Sequence, residues 1–468
     1  MATIGIELRI GNTDAGAGID QSQFADFYSF TLQHPSQSKA DISLSELLKS
    51  LRRLKLQPSI IGLDLLALAC AAYAADTSIN RYNNSDDGWT RQFHLFVPVS
   101  NEASWQAQSE LVARIMNFLT GDLWQVTFRQ SDTQITVAQR PMKPTTSTAE
   151  MVCLFSGGMD SFLGAIKLLE NGEKPLLVGH AKSSDVSSFR NQAFTALQQR
   201  YTTSAPDLVN AYVRVTKPRR GSHTIEGENT ERGRSFLFLA LGAACASALP
   251  TVSSGQNKKL WIPENGFITL NLPLSPLRMG AYSTRTTHPY YLNLVQQLLD
   301  ALSLGITVEN PFEFKTKGEM LADCADPDFA ASVNTMSCSR PGTRNAKLEG
   351  KGNRHCGRCV PCIIRRAALK RAGITDDNVS LPADRKYRTD IYRETLHAST
   401  AKATNKAAKG ENVMALRYML ARIQASPNFL PSAIQLTGPL ETPADSLAVY
   451  QRGLAEVEAV LQHVRLVD

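Results

Sequence analysis

The chain has 468 residues, of which 43% are hydrophobic and 20% charged. Its length sets a prior of about three domains, and its composition excludes a largely disordered, collagen-like or disulfide-stapled chain. Fifty Lys and Arg against 43 Asp and Glu give a net charge of +7, and ten of those bases lie between Cys338 and Arg371 beside one acid, Glu349. So dense a basic segment is expected to meet an anion or a negatively charged group bound nearby.

Residues 1–145 read as an α+β accessory domain. The first ten residues show no basic segment followed by an apolar core, so no secretory signal is predicted and the chain is expected in the cytoplasm. Ser43 to Leu54 reads as a helix, with Ser43 and Glu46 spaced as a capping box. A second helix is expected over Ser59 to Ala75. Its apolar run, Ile60 to Ala75, carries Asp64 and is short for a bilayer, so no membrane is expected as a partner. Phe93 to Val99 reads as a strand, Trp105 to Leu119 as an amphipathic helix, and Leu123 to Phe128 with Gln134 to Ala138 as a hairpin. No motif here carries chemistry, which suggests a scaffold or docking surface. Pro141 to Glu150 has the composition of a linker.

Over 146–383 the texture alternates. A short strand, Val152 to Phe155, leads through a glycine turn into a helix with Phe162, Ala165, Ile166 and Leu169 on one face. Strands at Leu176 to Val178, Ala211 to Val215 and Lys259 to Ile262 alternate with helices at Asn191 to Tyr201 and Gly233 to Leu249. Such alternation predicts an α/β fold, a doubly wound parallel sheet with helices on both faces. Residues 384–468 read as a helical C-terminal extension. It has a soft connector at Thr395 to Lys409 and amphipathic helices at Val413 to Ile423 and Asp445 to Val464.

Ser156-Gly157-Gly158-Met159-Asp160-Ser161 sits between the first strand and helix of this unit. Glycines allow close backbone approach, and a helix N-terminus offers unpaired N–H groups and a positive dipole end. The loop therefore suits the pyrophosphate of ATP. The alternative is a tight turn capped by Ser or Asp. No GxxxxGK[ST] loop, GxSxG elbow or HExxH motif occurs, which argues against P-loop NTPase, esterase and zincin chemistry. Eight cysteines are present, and Cys338 with Cys356, Cys359 and Cys362 can close a tetrahedral zinc site with sulfurs about 2.3 Å from the metal. An iron–sulfur cluster is the main alternative, and His355 could replace Cys338 as a ligand. Four thiolates on one zinc ion leave a charge of −2, which Arg354, Arg358, Arg365 and Arg366 would offset.

The SGGMDS loop resembles the signature of the PP-loop (N-type) ATP pyrophosphatases, whose adenine nucleotide alpha hydrolase-like domains activate an oxygen as an adenylate. With the cysteine set it resembles the QueC family, the 7-cyano-7-deazaguanine synthases. Gly233-Arg234-Ser235, Thr316-Lys317-Gly318-Glu319, Thr335-Met336-Ser337-Cys338 and the Cys356–Arg365 run are similar to further family elements. Met336 stands where the family has an aromatic residue, Ser235 where it has Asn, and the spacing from Cys338 to Cys356 is longer than usual. With these departures and the flanking regions, the chain is similar to the QueC-like component of bacterial Qat anti-phage systems.

The resemblance implies ATP, Mg²⁺ and zinc as cofactors and 7-carboxy-7-deazaguanine as substrate. Ammonia, or an amine of a partner protein from the same operon, would take the acyl group. It implies that Ser156, Gly157, Gly158, Met159, Asp160 and Ser161 hold the nucleotide, with Gly179 and His180 near the adenosine. Asp160, Arg234 and Lys317 would be catalytic, and Asp160 would organise Mg²⁺. Arg285 and His288, with Glu264 and Asn265, are candidates for substrate contact. The alternative for these four is a surface loop with a structural histidine before Pro289. Rival functions are a tRNA-modifying PP-loop enzyme, using Lys217-Pro218-Arg219-Arg220 and the basic segment, and a non-catalytic ATP-binding subunit. Nucleic acid is not favoured, because the basic residues crowd the cysteines without interleaved aromatics.

Overall fold

The structure is a computed structural model that describes residues 3–34, 40–138, 140–180, 184–216, 219–220, 223–224, 226–230, 232–250, 256–270, 272–273, 285–342, 353–398 and 409–467. Lys217 and Pro218, most of the stretch between Asn271 and Arg285, residues 343–352 of the basic segment and most of the soft connector lie outside the described residues.

The first five strands are β1 (Thr3–Ile10), β2 (Asp26–Leu32), β3 (Ile42–Ser43), β4 (Gln92–Val99) and β5 (Leu123–Gln130). They pair in the order β5-β4-β1-β2-β3, and every pairing among them is parallel. Parallel neighbours need crossovers: helix Ser109–Thr120 lies between β4 and β5, helices Ser45–Leu54 and Ile60–Ser78 carry the chain from β3 to β4, and β1 reaches β2 through a segment with only a short 3-10 turn. The N-terminal region is therefore α/β rather than the expected α+β. The expected hairpin fails for the same reason: β5 runs parallel to β4 along its whole length, and 134–138 form no strand. Ile135 and Val137 are buried as the alternation suggested, but no neighbouring strand receives them. The expected capping box at Ser43 is also absent. Ser43 lies in β3 and donates its hydroxyl to Gln33 Oε1 at 2.8 Å, while the helix begins at Ser45 without a side-chain cap.

The second sheet contains β6 (Met151–Leu154), β7 (Pro175–His180) and β8 (Asp207–Ala211). A two-residue β9 (Arg214–Val215) leaves it to pair antiparallel with β3 of the first sheet. Strands β10 (Lys258–Trp261) and β11 (Ile306–Glu309) complete the parallel order β11-β10-β6-β7-β8. Alternate residues of β6 face opposite layers. Val152 and Leu154 join a core with helix Arg234–Ser247, and Met151 and Cys153 join one with helix Met159–Glu170. The chain turns to opposite sides of the sheet after β6 and β10, and their carboxyl ends form the crevice where such sheets bind ligands.

Helix Ile60–Ser78 is long and apolar enough to cross a membrane by length and composition, with a mean hydropathy of 1.6, but 83% of it is buried in the protein. It lies against helix Arg234–Ser247 and shares one core with both sheets, so its apolarity is that of a core helix. Helices Glu411–Ala425, Phe429–Gln435 and Pro443–Leu461 cover helix Val360–Arg371, with Ile363, Ile364 and Ala367 meeting Tyr450, Val457 and Val460 in a third core.

Candidate active site

The signature loop leaves β6 at the crevice. Gly157 has φ of +85°, a left-handed conformation open to glycine at little cost. Ser156 Oγ lies 3.2 Å from Ser161 Oγ and accepts the Gly158 N–H at 3.3 Å. Gly158 is the N-cap of helix Met159–Glu170 and makes no side-chain cap bond. The N-terminus of that helix therefore keeps donors for an anion.

The loop closes one side of a cavity of about 240 Å³, lined by Ser156, Asp160, Ser161, Glu264, Lys317 and Met336 among others. Asp160 is buried; its Oδ2 accepts from Asn265 Nδ2 at 2.8 Å and its Oδ1 faces Lys317 Nζ at 3.2 Å. That second contact lacks hydrogen-bond alignment, which leaves Oδ1 without a hydrogen-bond partner. Asn265 also caps the short helix Gly266–Thr269, so one side chain fixes both the β10 exit and the Asp160 carboxylate. Burial, then the neighbouring Asp160 charge, raises the Glu264 carboxyl well above the usual carboxylate range against the pull of Lys317. Two carboxylates and one ammonium thus meet in a small polar cavity.

The Thr316–Glu319 element has a plain physical use. Thr316 Oγ1 accepts the Glu319 N–H at 3.0 Å, and Glu319 Oε2 accepts the Thr316 N–H at 2.9 Å. This capping box starts helix Lys317–Ala322 and sets Lys317, its first residue, against Asp160. Glu456 of the last long helix braces it by accepting from Thr316 Oγ1 at 2.6 Å.

Thr335–Cys338 ties the loop to the cysteines. Met336 N–H donates to Gly157 O at 2.9 Å, Met159 N–H reaches Ser337 Oγ at 3.5 Å, and Arg365 donates to Thr335 Oγ1 at 2.9 Å. The four sulfurs of Cys338, Cys356, Cys359 and Cys362 all lie within 4.8 Å of one another and are buried. Cys338 and Cys359 sulfurs are 3.8 Å apart, Cys356 and Cys362 sulfurs 3.9 Å. A tetrahedron with metal–sulfur bonds of about 2.3 Å has edges of about 3.8 Å, so the set fits one ion such as zinc. His355 is not part of it, since its Nε2 accepts the Ser337 N–H at 3.2 Å. Of the arginines expected to offset thiolate charge, Arg366 lies close enough to Cys362 to feel its charge while pairing with Asp376 at 3.2 Å, and Arg358 donates to Lys409 O at 2.8 Å. Backbone N–H groups do part of that work, because Arg340 and Cys356 each donate to Cys338 Sγ at 3.3 Å.

The remaining candidates fall into two groups. Gly179 and His180 end β7, and Arg234 reaches His180 Nδ1 at 3.4 Å and its carbonyl at 3.3 Å. Burial, then Arg234 and Arg190, lowers His180 to about 3, so the ring is neutral. Arg285 and His288 lie outside the cavity lining. Arg285 donates to Phe118 O at 3.0 Å, and His288 caps helix Pro289–Ala301 by accepting the Tyr290 N–H at 3.2 Å. Two residues were missed by sequence reasoning. Arg190 lies against Gly157 and Gly179, and Asp76 accepts the Gly233 N–H at 2.9 Å beside Arg234. Neither stands in a motif, and only packing brings them to the site.

No family model matches the chain. The chain is similar to the 7-cyano-7-deazaguanine synthase of Sulfolobus acidocaldarius, 22% identical over 266 residues covering 52% of this chain and 51% of that protein. It therefore spans about half the length of the curated relative it matches. This distant similarity, with the parallel sheets and the buried four-cysteine cluster, supports a QueC-like family.

Proposed function

We propose that this chain is an ATP-dependent, acid-activating enzyme of the PP-loop, QueC-like kind. It acts in the cytoplasm on 7-carboxy-7-deazaguanine as part of a Qat-type anti-phage system. The observation that carries the reading is the cavity at the carboxyl ends of β6 and β10. There a glycine loop and a helix N-terminus face Asp160, Glu264 and Lys317, one hydrogen bond away from the cysteine cluster. The name of the relative supports the substrate class.

A carboxylate is a poor electrophile, and adenylation gives it a good leaving group. The substrate oxygen attacks the α-phosphorus, the bond to the β-phosphate breaks, and pyrophosphate departs. The loop N–H groups bind the departing pyrophosphate, and Lys317 and Arg234 neutralise charge growing on the phosphates. Asp160 and Glu264 supply hard oxygen ligands of the kind that hold Mg²⁺. An amine nitrogen then attacks the acyl carbon, AMP leaves, and an amide forms. The amine is ammonia, leading on to the nitrile with a second ATP, or an amine of an operon-encoded partner protein. The four cysteines hold zinc in a structural role.

Incubation of the chain with ATP, Mg²⁺, the deazaguanine acid and the neighbouring operon protein, followed by intact mass measurement, tests this. The expected result is AMP and pyrophosphate with a partner heavier by one acyl group. AMP with a small-molecule amide or nitrile supports the ammonia route instead. Absence of AMP and pyrophosphate refutes the enzyme.

A further inference from the structure

Arg190 is 4% exposed, yet its Nε and Nη1 have no hydrogen-bond partner. Among the described residues it has no ion-pair partner either. A buried guanidinium without a counter-charge costs several kcal/mol, and proteins seldom keep one unless something else completes it. The chain makes room for this one twice. A Cβ on Gly157 would stand 2.7 Å from Arg190 Cα, and one on Gly179 would stand 2.5 Å from its Cδ. Gly157 thus makes room for the backbone of Arg190, and Gly179 for its side chain, which reaches the end of β7. A second cation faces it: Arg234, held on His180, lowers Arg190 to about 10 after burial has acted. Arg190, buried and unsatisfied, with a second guanidinium and a neutral histidine beside it, is a place suited to an anion.

We propose that Arg190 and Arg234 form an anion subsite for the α-phosphate of a bound adenine nucleotide, distinct from the pyrophosphate subsite at the loop N–H groups. This deepens the proposed function and rests on it. The order along the crevice gives the assignment. Arg190 backs onto Gly157 of the loop and its Nε lies over Gly179, so its guanidinium stands at the end of β7, where Arg234 meets His180. A phosphate held between the loop and β7 is the one that stays with the nucleoside when pyrophosphate leaves. Two guanidiniums there would hold AMP after the bond breaks and offset the charge of the transferring phosphoryl group.

The test is calorimetric titration of the full chain with AMP, with pyrophosphate and with ATP, each with Mg²⁺. R190Q removes the charge and keeps much of the length. Its AMP affinity is expected to fall about tenfold, while pyrophosphate affinity stays within about twofold of the parent. R190K keeps the charge on a similar stem, so it covers the case in which R190Q does not fold; its AMP affinity is expected to fall severalfold, because an ammonium cannot bind bidentately. A parent chain that binds ATP beside R190Q and R190K variants that bind AMP undiminished overturns the subsite and leaves the proposed function standing. A parent chain that binds none of the three ligands overturns both.

Discussion

The signature loop and its arginine are held from two sides by different chemistry. On the C-terminal side, Met336 bonds Gly157 and lies two residues before Cys338, one of four buried sulfurs. On the N-terminal side, Asp76 bonds Gly233, the residue before Arg234. Asp76 is itself fixed by Arg91 at 2.6 Å, and Arg91 and Arg81 both pair with Asp122 at 2.7 and 2.6 Å, all in the buried interior. A metal clamp depends on one ion and fails as a whole. A carboxylate–guanidinium network depends on several bonds and fails in parts. The N-terminal region, in which the sequence shows no catalytic motif, thereby supports the site through Arg234.

The metal side should break hardest. C362S removes one of the four buried sulfurs that could hold a metal ion. Structural zinc contributes on the order of 10 kcal/mol, so the variant should lose its metal equivalent and its cooperative melting transition. Metal analysis beside thermal melting checks both. A C362S protein that keeps its metal and its melting profile removes the clamp from this account.

The ion network should break next. D76N keeps the shape but removes the charge facing Arg91 and Arg81, at a cost of about 3 kcal/mol in urea unfolding. Its metal content should stay at the parent level, which separates the two supports. Equal loss of metal in D76N would show that the two sides are one cooperative unit.

Much of this arrangement was legible in the sequence for a definite reason. The loop, the Thr316–Glu319 cap and the cysteine spacing are local patterns, and local patterns survive without knowledge of the fold. The α/β alternation after Val152 is local too, and β6, β7 and β10 lie where it suggested. What failed was pairing. Nothing in Leu123 to Ala138 says whether a strand turns back or crosses over, and the parallel β4–β5 ladder settled it through the helix between them. Arg190 and Asp76 were missed because each meets the site across long chain separations. His288 and Arg285 drew attention as polar residues in a loop, and the structure gives them a helix cap and a carbonyl contact.

Acid and base offer a smaller test of the cavity between the two supports. Burial and Asp160 raise the Glu264 carboxyl, so folding favours its protonated form relative to the unfolded chain. Its contribution to stability is full below its unfolded value of about 4.3 and is lost as pH rises through the raised folded value. E264Q lacks that loss. The variant should unfold at higher urea than the parent near neutral pH, and the two curves should converge toward pH 4. Parallel curves at all pH values would show that Glu264 ionises freely and faces no carboxylate.

The mildest change tests whether the cap serves stability or position. T316A removes the Thr316 half of the capping box and the bond to Glu456, at a cost of about 1 kcal/mol. Such a loss alone should leave ATP turnover near the parent value at saturating ATP. Lys317 is the first residue of that helix and the cation nearest Asp160, so a looser start displaces the ammonium as well. KM for ATP should therefore rise severalfold, and T316S, which restores the hydroxyl, should return it to the parent value. If T316A lowers the melting temperature without moving KM, then Lys317 finds Asp160 unaided, and the Thr-Lys-x-Glu element is a helix start and no more.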